Sequence, residues 1–76
     1  MTSEARRLLK ALESSGMRST SELGMTPTDL QRAITDLQNL FDDDGRAVNV
    51  LNTWHANDAI VGLELTQTGR VIARSV

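Results

Sequence analysis

Apolar residues first recur along the chain at three- and four-residue steps. Ala5, Leu8, Leu9 and Leu12 fall on one side of a helix at about 100° per residue, while Arg6, Arg7, Lys10 and Glu13 face elsewhere as a solvated surface. Thr2 or Ser3 caps this helix, Glu4 sits in its first turn, and Gly16 is the C′ residue after an end near Ser15. Ser19-Thr20-Ser21-Glu22 then has capping-box spacing and is followed at once by Leu23 and Gly24, which predicts a very short helix and a sharp turn. Met17, Leu23 and Met25 fall at the junctions and are expected at the core or its margin. The strongest periodic stretch follows, over residues 26–41. Thr26 is its N-cap, Pro27 suits the first helical position and Asp29 favours the dipole, while Leu30, Ala33, Ile34, Leu37 and Phe41 share the face to be buried, with Leu40 at its margin. On the opposite face Thr28, Arg32, Thr35 and Asn39 line the centre, Gln31 and Gln38 flank one side, and Asp29 and Asp36 flank the other.

After Phe41 the pattern changes. Asp42-Asp43-Asp44-Gly45-Arg46 sets three carboxylates against the negative end of the preceding helix and stops it. The spacing fails as an EF-hand, because the alternate-residue ligands, the glycine and the terminal glutamate do not line up, so an exposed acidic turn is expected and no metal site. From Ala47 to Trp54, Val48 and Val50 alternate with Asn49 and Leu51; His55 to Asp58 supplies turn chemistry, and Val61, Leu63 and Leu65 form one face of a second strand over residues 60–65. The prediction is a β-hairpin over residues 46–66. Thr66 or Thr68 caps a last short helical piece containing Arg70, Val71, Ile72 and Arg74, with Gly69 weakening it. Trp54, the only tryptophan, is expected to close the core over the hairpin base; its other reading is an interface anchor.

Composition narrows the classes. Seventy-six residues make one domain of a size where a single core is only marginally stable. With no cysteine, no disulfide framework or thiolate metal site is available, and no stretch reads as a signal peptide or membrane span, so a soluble cytoplasmic protein is expected. The net charge of −2 argues against a strong non-specific grip on nucleic acid, and any positive patch must be local. His55, the only histidine, with Asp58 nearby would be the sole base and orienter, and neither a nucleophile elbow nor a glycine-rich phosphate loop accompanies them. No enzymatic activity and no cofactor are expected.

Two runs carry a family resemblance. Ser21-Glu22-Leu23-Gly24-Met25-Thr26-Pro27-Thr28-Asp29-Leu30-Gln31-Arg32-Ala33-Ile34 resembles the turn and recognition-helix entry of the winged helix-turn-helix family, and Leu65-Thr66-Gln67-Thr68-Gly69-Arg70 is similar to the Leu-Thr-x-x-Gly-Arg run where that family's wing rejoins the domain. The resemblance covers nearly the whole chain. It implies an α+β fold of three helices, a two-stranded wing over residues 46–66 and a short C-terminal helical turn. It further implies a sequence-specific transcriptional regulator that binds double-stranded DNA through helix 26–41. By that likeness Thr26 and Thr28 would donate to phosphate, Gln31 and Arg32 would pair with base edges, and Thr35 and Asn39 would extend the reading surface. Arg46, His55 and Arg70, with Arg18, would touch the backbone, and a second copy would add the contacts that one small module lacks. The acidic turn stands where the family has a Gly-hydrophobic step. It favours the alternative, a winged-helix module that docks on a transcription or replication protein.

Overall fold

The computed structural model describes residues 1–76. Helix α1 spans Ser3–Glu13 because Thr2 caps it, its hydroxyl accepting from the Ala5 N–H at 3.1 Å, and because Ala5, Leu8, Leu9 and Leu12 are buried along one stripe. Strand β1, Arg18–Ser19, leads into a single 3-10 turn, Thr20–Glu22. Helix α2 is Pro27–Gln38, strands β2 and β3 are Leu51–Ala56 and Ala59–Leu65, and helix α3 is Gln67–Ser75. The result is an α+β domain with three α-helices and an antiparallel sheet in the order β1-β3-β2. Twelve buried apolar residues drawn from all three helices, β2, β3 and Val50 make one core.

The sheet therefore has three strands where the sequence predicts two. Arg18 and Ser19 pair with Leu63 and Gly62, a long-range pairing that a two-residue strand cannot announce by alternation. The predicted short helix shrinks to one 3-10 turn, and the capping box does not close. The Ser19 hydroxyl donates to the Glu22 carboxylate at 3.1 Å instead of accepting a backbone N–H. Gly24, at φ 65°, makes the turn into α2, and Leu23 and Met25 pack on the core as expected. Met17 does not: it is 57% exposed and lies over Gly62 on the outer face of the sheet.

Helix α2 starts as its sequence says, Thr26 accepting from the Asp29 N–H at 3.1 Å. It ends at Gln38, three residues before Phe41, where the Asn39 side-chain amide donates to the Thr35 carbonyl at 2.7 Å and Asn39 leaves helical geometry. Phe41 is thus outside the helix, bridged to Ala47 and 64% exposed, not part of the core face. Asp42 explains why. Its Oδ1 accepts from the Asp44 and Arg46 N–H groups at 2.9 Å, and its carbonyl accepts from Gly45, closing a tight loop with Gly45 at φ 77°.

The hairpin also differs in detail. Ala47 to Val50 is irregular, and β2 runs on through His55 and Ala56, so the turn is Asn57-Asp58, both left-handed at φ 51° and 63° as a two-residue hairpin turn requires. The register slips between Trp54 and His55: Trp54 faces Gly62, His55 faces Ile60, and Val61 is the extra residue of a bulge. A bulge reverses alternation. Val61 is consequently exposed while Ile60 turns to the core, and Leu63 and Leu65 stay buried. Trp54 is 44% exposed on the outer face and does not close the core.

Helix α3 is longer than a helical turn, and Gly69 is what seats it. Thr66 caps α3 by accepting from the Gly69 N–H at 3.0 Å, donates its hydroxyl to the Asn49 carbonyl at 2.6 Å, and gives its own N–H to the Val50 carbonyl. Any Cβ on Gly69 would run into that same Val50 carbonyl oxygen. Lys10 holds the far end, donating to the Ala73 carbonyl at 2.7 Å. Gly69→Ala is expected to lower stability by about 1–3 kcal/mol through overpacking, although alanine is the better helix former by about 1 kcal/mol. The midpoint of urea unfolding measures it; an unchanged or higher midpoint would show that α3 is free to shift away from Val50.

Candidate functional site

The outward row of α2 follows from its inward one. With Ala33, Ile34 and Leu37 buried and Leu30 packed beside them, the 3.6-residue period leaves Thr28, Gln31, Arg32, Thr35 and Asn39 exposed. Thr2, Gln31, Arg32, Thr35, Asp36 and Asn39 line a shallow concavity of about 410 Å³ without one hydrophobic side chain. A second groove, about 640 Å³, runs between the start of α2 and the hairpin tip. Its walls are Thr20, Ser21, Met25, Pro27, Leu30, Gln31 and Ile34 on one side and His55, Asp58, Ala59 and Ile60 on the other. Gln31 belongs to both.

Hydrogen bonds hold this surface in place. Gln31 Nε2 donates to Thr35 Oγ1 at 3.1 Å, and Asn39 fixes its amide on the Thr35 carbonyl. These bonds leave the Gln31 and Asn39 side-chain oxygens and the Thr35 hydroxyl proton for a ligand. Asp36 is committed elsewhere. Its Oδ2 accepts from the Thr2 N–H at 2.8 Å and the Thr2 hydroxyl at 3.1 Å, which ties the start of α1 to the last turn of α2. Arg32, whose side chain is 65% exposed, has only Glu4 within ion-pair reach, and at 3.9 Å that pairing is worth little, so its guanidinium remains available.

Of the nine residues expected at the site, Gln31, Arg32, Thr35 and Asn39 come together in the concavity and His55 faces Gln31 across the groove. Thr28 is exposed one turn before them, and Thr26 has its oxygen engaged as the cap of α2. Arg46 and Arg70 line neither depression. Arg46 lies in the turn closed by Asp42, and Arg70 rides on α3, which packs on α1 and β3. Sequence reasoning missed Thr2 as a wall of the site, because nothing local links the first residues to α2. The arginines do not gather here: Arg32 is the one arginine or lysine among the lining residues, in the same concavity as Asp36, and His55 and Asp58 are the titratable residues of the groove. No group of three or more His, Asp or Glu side chains is arranged to hold a metal ion.

The arrangement defines a small α+β domain that presents one polar helix face beside a hairpin. No protein-family model matches the chain, and neither a curated protein nor a solved structure matches it. No helix is long and apolar enough to cross a membrane.

Asp36→Ala is expected to cost about 1 kcal/mol, as loss of an exposed charge-assisted cap does, lowering Tm by about 4–8 °C. Asp36→Asn, which retains an acceptor for Thr2, loses less. Thermal melts of the two variants, followed by far-UV circular dichroism, decide; equal losses would mean that charge, and not the hydrogen bond, carries the tie.

Proposed function

We propose that this protein is a cytoplasmic, sequence-specific DNA-binding regulator of transcription of the winged helix-turn-helix type, with α2 as the reading helix and the β2–β3 hairpin as the wing. One observation carries the reading: five exposed polar side chains, Thr28, Gln31, Arg32, Thr35 and Asn39, on a helix whose other face is buried. An α-helix fits the major groove, where a guanidinium pairs with two acceptors of guanine and a carboxamide with the donor and acceptor of adenine. The order of elements, with β1 pairing to β3 and the hairpin following the long helix, supports the same reading. In this reading Thr26 and Thr28, at the start of α2, donate to phosphate, and His55, which lines the groove from the hairpin side, contacts the backbone.

Charge sets the character of the binding. With a net charge of −2 and one cation in the concavity, few counterions would be displaced, so affinity would rest on base contacts and fall only shallowly with salt. A second reading, docking on a protein partner, is favoured by exposed Phe41 at the foot of the Asp42–Asp44 turn, an apolar residue beside acids that DNA would repel.

A salt-dependent titration tests the reading, using a duplex selected from a random pool against mixed-sequence duplex. Wild type is expected to prefer the selected site, and Arg32→Ala and Gln31→Ala to weaken it by about 1–3 kcal/mol, five- to 150-fold, with less effect on mixed sequence. Absence of binding at low salt would hand the surface to a protein partner. A uniform loss on all sequences would make Arg32 a phosphate ligand and end its base-reading role.

A further inference from the structure

We propose that two copies of this chain pair edge to edge along β2, about a two-fold axis at Trp54. Strand β2 has β3 on one side and no strand on the other. The Val50 carbonyl accepts from Thr66 across to the β3 side, so by the alternation of an antiparallel ladder Asn52 and Trp54 also aim their backbone groups at β3. Leu51, Thr53 and His55 aim theirs at the open edge. None of these outward groups has a backbone partner outside the ladder. Edge strands are ordinarily guarded by charge or proline, and Leu51–Ala56 contains no Asp, Glu, Lys, Arg or Pro.

Self-complementarity selects the occupant. With the axis at Trp54, Thr53 and His55 of one copy exchange both backbone hydrogen bonds with His55 and Thr53 of the other. Trp54 then meets its own counterpart in a non-hydrogen-bonded pair, Cα atoms about 4.5 Å apart, the spacing at which aromatic side chains of one face touch. Both tryptophans lie on the outer face, where Met17 and Trp54 already close over Gly62, so pairing joins two exposed apolar patches into one strip. A neutral edge brings no like charges together. The other exposed aromatic, Phe41, adjoins the Asp42–Asp44 turn, where a two-fold contact would oppose six carboxylates, three from each copy. A contact along one six-residue strand is small, in the class of weak, transient interfaces below about 1,200 Å².

Sedimentation velocity from low micromolar to millimolar concentration tests it without DNA, so the outcome is separate from the DNA-binding reading. Wild type is expected to pass from monomer to dimer. The chain has one tryptophan and no tyrosine, so its emission reports Trp54 alone and is expected to shift to the blue over the same range. Trp54→Lys, at an exposed position, places two ammonium groups face to face and is expected to weaken dimerisation at least tenfold. Thr53→Pro removes an outward N–H that β3 does not use and is expected to do the same, with the far-UV spectrum retained. A wild type that stays monomeric to millimolar, or a Trp54→Lys protein that dimerises as tightly as wild type, overturns the proposal.

Discussion

Every layer of this domain closes on the apolar stripe of α1. Ala5, Leu8, Leu9 and Leu12 are all but inaccessible to water, and α2, α3 and β3 each pack against that helix. Burial of each leucine contributes about 1.5–3 kcal/mol, which makes α1 the shared surface that sets how the other elements are rotated. For α2 the consequence is direct. Its own buried residues must turn toward α1, and the bonds from Thr2 to Asp36 keep the last turn of α2 beside the first turn of α1. The polar row of α2 faces outward because of what the core requires of the opposite side.

The hairpin is positioned by a different device. Thr66 joins three segments at one point: its N–H and hydroxyl bond to Val50 and Asn49 before β2, and its oxygens accept from Gly69 and Arg70 in α3. Without a side chain at Gly69, α3 comes close enough to Val50 for these bonds to form together. The base of the hairpin is therefore tied to the body, and its tip at Asn57-Asp58 projects beside the start of α2. That separation of a fixed base from a projecting tip gives the groove at Gln31 and His55 its two walls.

What could be read from the sequence was whatever repeats within one element. The stripe of α1, the face of α2 as far as Leu37 and the cap at Thr26 rest on local spacing and appear in the structure where that spacing puts them, while of the paired alternatives the structure takes Thr2 over Ser3 and Thr66 over Thr68 as caps. Features set by distant partners were not legible. β1 exists only because Arg18 and Ser19 meet β3, the bulge at Val61 reverses an alternation that looked regular, and Asn39 ends α2 by taking the Thr35 carbonyl before Phe41 is reached. The site divides the same way. Gln31, Arg32, Thr35 and Asn39 lie together because one helix carries them all, whereas Arg46 and Arg70 depend on packing between elements and lie outside both depressions.

The placement of the exposed tryptophan bears on how a weakly charged surface could reach a useful affinity. Arg32 is the single cation of the concavity, so one copy would draw little from counterion release and would depend on a handful of hydrogen bonds. Joining two copies changes this without adding a charge, because the second contact becomes intramolecular and proceeds at a high effective concentration. Trp54 and Met17 lie on the outer face of the sheet, while Ile60 and His55 face the groove on the α2 side. On the reading that α2 binds DNA, a pair formed along β2 carries two-fold symmetry, and duplex DNA matches that symmetry in a palindrome.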